Sequence, residues 1–197
     1  MEFRFAQKGD APLIMEFIRG LAEYENCQQA VSANEDLINE WVLEKQKAEV
    51  LFVLEDGSAA GELGGAAPGR SCGQAAQADA SGSLNAEPEP REVGMAFFFT
   101  CLPAYHGKPG LYLDTLFVKP EHRGKGYGKG LLSKLAELAV ERGYGRLEWM
   151  CFDWNHSSLD FYRSLGAKIV EDVVTLRVQG DALAELASLA ELASQKR

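Results

Sequence analysis

A run of alternating glycines between a predicted strand and a predicted helix is the feature that most constrains this chain. Gly124, Gly126, Gly128 and Gly130 all fall within residues 118–131, VKPEHRGKGYGKGL. Glycine at every second position leaves backbone N–H groups uncovered, and a helix N-terminus adds partial positive charge. The segment therefore predicts a turn that can bind a phosphate group.

Two familiar nucleotide-binding motifs are excluded. The sequence contains no G-x-x-x-x-G-K-[ST] motif. The G-x-G-x-x-G fingerprint fails because its third glycine would fall on Lys129 or Leu131. The pattern that does occur is Arg-x-x-Gly-x-Gly, at Arg123, Gly126 and Gly128.

The overall charge is negative, but the charge around this turn is positive. The 197 residues include 20 Lys and Arg against 29 Asp and Glu, a net charge of −9. That balance argues against a nucleic-acid partner and favours small cationic molecules. Near the turn only Glu121 opposes the five cations predicted to surround it, which are Lys119, Arg123, Lys125, Lys129 and Lys134.

Hydrophobic periodicity predicts an α/β (α+β) fold with a mixed sheet and helices on both faces. The predicted strands are 3–5, 50–54, 93–101, 111–118, 147–152 and 169–178, with an antiparallel hairpin between the third and fourth. The predicted helices follow Asp10, a capping box at Ser32 and Glu35, the glycine-rich turn, Asn155 and Gly180. Gly143 is predicted to end the third of them.

Residues 57–92 differ in composition from the rest. Gly, Ala, Ser and Pro dominate, and the segment cannot bury enough apolar surface to offset its ordering entropy. We interpret it as a flexible insertion within a single domain over residues 1–178, followed by a C-terminal helix over 180–197. A mobile loop without a role and a lid or partner-binding segment both stay open.

The cysteines and the N-terminal residues indicate the cellular compartment in which the protein is expected. The four cysteines stand far apart, without the spacing of a zinc site or a disulfide framework. The first residues lack an apolar leader, and no stretch is apolar enough to cross a membrane. We expect a reduced, cytoplasmic protein without metal, membrane or nucleic-acid partners.

The glycine-rich turn resembles that of the GNAT acyltransferase superfamily, whose members bind the pyrophosphate of acetyl-CoA there. The segments LAEYE, VGMAFFF, LYLDTLFV, DWNHSSLDFY and LGA follow one another in this order and are similar to the spermidine/spermine (diamine) N-acetyltransferase branch. The resemblance implies a mostly antiparallel GNAT sheet, acetyl-CoA as cosubstrate, a small amine as acceptor and a homodimer.

The chemistry indicates what the site must contain. An alkylammonium near pKa 10.4 is neutral only about one part in a thousand near pH 7.4. A carboxylate at the central strand could accept its proton and hold the cation. Asp114 is the candidate, because the resemblance aligns it with a glutamate that contacts the amine in the polyamine enzymes. Strand alternation predicts that it shares a face with Tyr112 and Leu116. An ordinary solvated or capping aspartate is the alternative.

The resemblance assigns the remaining roles. Tyr162 matches the general acid that protonates the CoA thiolate, although a core aromatic residue is an alternative. Substrate contacts are implied for Tyr24, Glu25, Asp114 and Glu148. Cofactor contacts are implied for Leu116, Phe117, Val118, Arg123, Gly124, Lys125, Gly126, Tyr127, Gly128, Lys129 and Asn155. For Glu25 a surface-helix residue, and for Asn155 an ordinary N-cap, stay open.

One departure from the branch bears on the substrate. Gln28 and Gln29 stand where the polyamine enzymes tend to carry acidic residues, and Asp114 is one methylene shorter than their glutamate. The site is therefore expected to be less anionic, which leaves diamine, polyamine and lysine-like substrates open. A protein or peptide N-acetyltransferase and a catalytically inactive CoA-binding module are the competing hypotheses.

Overall fold

The computed structural model describes residues 1–55, 91–171 and 173–194. The insertion predicted at 57–92 lies outside the described residues except for its last two. Arg91 and Glu92 begin a strand, where they pair with Glu55 and Leu54. The predicted boundary is corrected accordingly, because pairing with the preceding strand extends further than the apolar pattern indicates.

Among the described residues, five strands form one sheet, in the order β1-β2-β3-β4-β5. They are β1 Glu2–Phe5, β2 Glu49–Glu55, β3 Arg91–Cys101, β4 Gly110–Val118 and β5 Leu147–Trp149. The first three pairings are antiparallel and the β4–β5 pairing is parallel. The predicted mixed sheet and the predicted β3–β4 hairpin are confirmed, and β5 is shorter than expected.

Helices cover both faces of the sheet, as predicted. Within the first 150 residues they are α1 Ala11–Tyr24, α2 Glu35–Ile38 and α3 Tyr127–Glu141, and α4 His156–Ser164 and α5 Asp181–Ser194 follow later in the chain. A π-helical segment, Asn39–Glu44, continues α2, and a short 3₁₀ turn, Pro120–His122, precedes α3. On one face α1 and α2 pack against Phe52, Met95 and Phe117. On the other, α3 contacts β2, β3 and β4.

The start of α2 differs from the prediction. Asn34 is its N-cap, with a side-chain oxygen that accepts a hydrogen bond from the Leu37 amide at 2.9 Å. Ser32 therefore does not cap the helix, and Glu35 is its first residue instead of the third. Serine and asparagine cap about equally well, so the sequence pattern could not discriminate between the two positions.

The chain divides into two compact units, residues 1–150 and residues from Cys151 onward. In the second unit the strand predicted at 169–178 is wrong: residues 169–171 and 173–179 lie outside helices and strands. Val174 and Leu176 there are exposed by 79% and 88%. β-Branched residues favour extended backbone, but a strand also needs a neighbouring strand for its hydrogen bonds.

In the described residues no helix is long and apolar enough to cross a membrane.

Candidate active site

The glycine-rich turn has the backbone geometry that only glycine adopts readily. Gly124 and Gly126 have φ angles of +76° and +88°, and Gly126 is the N-cap of α3. The first α-helical hydrogen bond runs from the Gly130 amide to the Gly126 carbonyl at 2.9 Å. The amides of Gly128 and Lys129 precede that bond, so helix geometry leaves them to acceptors outside the helix. The turn can therefore present several N–H groups to an anion.

The charge around the turn is more balanced than the sequence indicates. Lys125 pairs with Glu55 at 2.9 Å and Lys119 pairs with Glu16 at 2.8 Å. Lys134 pairs with Glu137 within α3. The prediction that only Glu121 opposes the five cations is therefore wrong. Sequence reasoning missed Glu55 and Glu16 because the fold brings them to the turn from distant elements.

Arg123 joins the turn to α1 and β4. Its Nε donates a hydrogen bond to the Val118 carbonyl at 3.0 Å. Its guanidinium carbon lies 4.4 Å from the centre of the Tyr24 ring and 5.4 Å from that of Phe117. The Arg123 guanidinium thus contacts three other residues singled out from the sequence, Tyr24, Phe117 and Val118.

An extra residue interrupts the pairing of β4 with β3. Phe97 pairs with Thr115, whereas Phe98 pairs with Leu113, so Asp114 has no opposite residue in β3. This is a β-bulge, which locally twists a strand and re-aims its side chains. The Thr115 hydroxyl donates to the Asp114 carboxylate at 3.3 Å, and the Asp114 side chain is exposed.

The bulge overturns the expected sharing of one face by Tyr112, Asp114 and Leu116. Phe99 and Ala96 lie on opposite faces of β3, because they are three positions apart along a regular strand. Tyr112 pairs with Phe99 and Leu116 pairs with Ala96, so Tyr112 and Leu116 also lie on opposite faces. The inserted residue therefore interrupts the alternation of β4 side chains between the two faces of the sheet.

The same bulge determines where the β4 amides point. The Leu111 amide bonds to the Arg146 carbonyl, on the β5 side, whereas the Lys119 amide bonds to the Val93 carbonyl, on the β3 side. Since alternation resumes after Asp114, the amides of Leu116 and Val118 point away from β3.

Strand β5 does not extend far enough to meet those amides. It pairs with β4 only over Leu111–Leu113. Within the part of the chain that the structure describes, β4 therefore has no strand partner on this side beyond Leu113. Its last amides form an open edge, and the glycine-rich turn follows this strand after the 3₁₀ turn Pro120–His122.

Acidic and aromatic side chains meet where β3, β4 and β5 run side by side. Tyr112 stacks on Phe99, with ring centres 5.1 Å apart, and is the Cα partner of Glu148 in β5. Burial raises the pKa of the Tyr112 phenol, and the negative charges of Asp114 and Glu148 raise it further. The charges of Asp114 and Glu148 thus both act on the Tyr112 phenol.

Glu148 does not present a free charge. Its carboxylate lies 2.7 Å from Nη2 of Arg146, two residues earlier in the sequence. Sequence reasoning missed this partner, because Arg146 lies one residue before the predicted strand 147–152. Because the Arg146 charge offsets that of Glu148, the pair adds less net negative charge near Tyr112 than a lone carboxylate would.

The other predicted acidic residue, Glu25, lies at the end of α1. Partial burial raises the pKa of its carboxyl group, and a hydrogen bond from the Cys27 thiol at 3.9 Å acts in the opposite direction. The Glu25 carboxylate thus accepts its hydrogen bond from Cys27. Tyr24 beside it is exposed by 39%.

Asn155 and Tyr162 belong to the second unit. Asn155 is the N-cap of α4, and its side-chain oxygen accepts a hydrogen bond from the Ser158 amide at 3.3 Å. It is also buried, at 8% exposure, so the capping alternative accounts for its local role. Tyr162 is half-buried on α4, with its ring centre 5.3 Å from that of Phe161.

Known proteins resemble the chain over most of its length. Residues 21–167 match the Acetyltransferase (GNAT) family. Thialysine N-epsilon-acetyltransferase of Bos taurus is 31% identical over 187 residues, which cover 93% of this chain and 95% of that relative. L-ornithine N5-acetyltransferase of Arabidopsis thaliana is 38% identical over 91 residues, which span 46% of this chain and 40% of that relative. An integron cassette protein from the mobile metagenome of V. cholerae has the same fold, with a TM-score of 0.63 at 24% identity over 94% of this chain and 96% of that one.

The shared environment of Tyr112 yields a prediction about its ionisation. Replacing Asp114 by Asn removes a negative charge that disfavours the phenolate, so the pKa of Tyr112 should fall toward its ordinary value. NMR titration of ring-labelled tyrosine, assigned with a Tyr112→Phe variant, measures the change. Glu121→Gln, on the 3₁₀ turn, is the matched control and should leave the titration in place. An unchanged Tyr112 titration in Asp114→Asn would show that the two groups do not interact.

Proposed function

The chain belongs to the acetyltransferase (GNAT) family as an N-acetyltransferase, and we propose that it transfers the acetyl group of acetyl-CoA to the primary amine of a small cationic substrate. The observation that carries the proposal is the bulge at Asp114. It turns strand amides toward an open edge beside an anion-binding turn and exposes a carboxylate at the same point of β4. Acetyl transfer to an amine needs these groups close together.

The turn and the open edge would hold acetyl-CoA. The amides of Gly128 and Lys129, with the helix dipole of α3, suit a pyrophosphate. The amides of Leu116 and Val118 suit the pantetheine chain and the thioester carbonyl, where negative charge develops during attack. Phe117, Arg123 and the residues from Gly124 to Lys129 complete the proposed cofactor contacts of the first unit. Asn155 is proposed as a further cofactor contact.

Asp114 is proposed to hold the amine and receive its proton. Deprotonating an alkylammonium near pH 7.4 costs about 4 kcal/mol, so a nearby carboxylate, acting directly or through a water, lowers the barrier substantially. The stacked rings of Phe99 and Tyr112 beside Asp114 offer an apolar floor for an alkyl chain. Glu148, Tyr24 and Glu25 are proposed as further substrate contacts.

The proposed substrate is short. The relatives named for thialysine and L-ornithine acetylation support an acceptor whose side chain ends in an amine. Pairing of Glu148 with Arg146 leaves less negative charge for a long polycation. Within the broader class of diamine, polyamine and lysine-like substrates, this favours a lysine-like or diamine acceptor.

A cytoplasmic homodimer is also part of the proposal. The second unit exposes apolar side chains that a second copy of the chain could cover, among them Val173, Val174, Leu176, Leu183, Leu186 and Leu189. Light scattering on the full chain distinguishes dimer from monomer.

Gly126→Val tests the proposed cofactor turn. Valine at φ +88° is strained by about 1–2 kcal/mol, so the turn should lose its geometry and the KM for acetyl-CoA should rise about tenfold. Gly143, at φ +69° beyond the other end of α3, offers a control with the same kind of strain. Gly143→Val should lower stability without raising that KM. Equal KM values in Gly126→Val and the wild type would contradict the cofactor assignment.

Asp114→Asn tests the proposed handling of the amine. The amine KM should rise about tenfold, because a charge-assisted hydrogen bond is lost. The pH profile of kcat/KM should also move to higher pH, since the amine must then lose its proton to solvent. Steady-state kinetics across pH measure both, with Asp36→Asn on α2 as a neutral control. If both quantities match the wild type, the amine does not bind at Asp114.

Tyr162→Phe tests the proposed general acid. Only the hydroxyl is removed, so kcat should fall by about 10²-fold while affinity for acetyl-CoA stays nearly intact. The phenol is a weaker acid than a thiol, so proton donation must accompany thiolate departure. Single-turnover kinetics isolate the chemical step, and Tyr105→Phe, on a fully exposed ring, is the control. A chemical step at the wild-type rate would assign the proton to another donor.

A further inference from the structure

The carboxylate of Glu55 contacts three residues at the glycine-rich turn. Oε1 accepts hydrogen bonds from Nζ of Lys125 at 2.9 Å and from the hydroxyl of Tyr127 at 3.4 Å. Oε2 lies 3.3 Å from Nδ1 of His122. These residues flank the turn on both sides, since His122 ends the 3₁₀ turn before it and Tyr127 is the first residue of α3.

The turn needs such an anchor because its backbone is unusually free. Glycine loses more conformational freedom on ordering than any other residue, and this turn has four glycines at alternating positions. The spaces beside Gly124 and Gly126 hold no atom within 4 Å of an added Cβ, so packing does not restrict them. Amides that bind an anion well must be held in place before it arrives.

We propose that Glu55 is a positioning residue for acetyl-CoA binding. Its side chain holds the glycine-rich turn in the conformation that presents the backbone amides of the turn to the pyrophosphate. The inference rests on the proposed function of that turn. It also gives Lys125 a different role from the one expected from the sequence: its ammonium group acts through Glu55, and its backbone serves the cofactor.

The geometry distinguishes Glu55 from the other ion pairs nearby. Its contacts with Lys125 and Tyr127 span 70 and 72 residues of sequence, so they tie the end of β2 to the turn. Glu137, by contrast, pairs with Lys134 only three residues away on the same helix. The Glu16 side chain is 58% exposed where it meets Lys119, whereas that of Glu55 is 29% exposed. The Lys125 ammonium group lowers the pKa of the Glu55 carboxyl, which keeps it ionised.

A double-mutant cycle on the full chain tests the proposal, with calorimetric titration of acetyl-CoA as the readout. Glu55→Gln should weaken binding about fivefold, as expected for partly exposed charged contacts, while kcat at saturating acetyl-CoA stays near the wild-type value. Lys125→Met should weaken binding by a similar factor. The double variant should bind no more weakly than either single variant, because both act through the same contact.

Controls keep the outcomes separate. Glu16→Gln removes another acidic partner of a lysine on this side and should leave acetyl-CoA binding unchanged. If Glu55→Gln does not fold, Tyr127→Phe removes one of the three contacts and should weaken binding in the same direction. Unchanged or tighter binding by Glu55→Gln, or additive losses in the double variant, would overturn the proposal. A wild-type chain that does not bind acetyl-CoA at all would instead contradict the proposed function.

Discussion

The extra residue at Asp114 is the constraint on which the site depends. Without it, successive β4 amides would point alternately toward β3 and β5. Because Leu111 and Lys119 are an even number of positions apart, both of their amides would then point toward β5. The observed bonds point to opposite sides. One inserted residue therefore lets the first half of β4 pair with β5. It directs the amides of Leu116 and Val118 to an edge that no described strand pairs with. It also exposes the carboxylate proposed to handle the amine.

The turn that follows β4 depends on contacts from two other elements. Arg123 fastens it to the Val118 carbonyl and to the ring of Tyr24 at the end of α1. Glu55, at the end of β2, holds Lys125 and Tyr127. Glycines give the turn the positive φ angles that an anion-binding loop requires, and these side chains offset the freedom that glycines bring. The glycines thus allow the anion-binding conformation of the turn, and the contacts of Arg123 and Glu55 hold the turn in it.

Much of this architecture could be predicted from local sequence. Strong periodicity located α1 and α3, and the glycine pattern located the turn, because each signal lies within a few neighbouring residues. The failures have a common physical cause. The face of Leu116 depends on cross-strand register, the balance of charge at Lys125 depends on Glu55, and the predicted strand at 169–178 depends on a partner strand. Each of these is decided by residues distant in sequence. The N-cap of α2 is different, since Ser32 and Asn34 are near-equivalent local signals.

Amine-dependent thiol release tests the central claim most directly. The full chain is incubated with acetyl-CoA and a panel of amines that includes a diamine, a polyamine, L-ornithine, L-lysine and a short peptide, and the product is identified by mass spectrometry. The account predicts release of free CoA together with an N-acetylated small amine, fastest for lysine-like or diamine acceptors. Acetylation of the peptide alone would identify a peptide N-acetyltransferase. Binding of acetyl-CoA without turnover of any amine would contradict the account and indicate an inactive CoA-binding module.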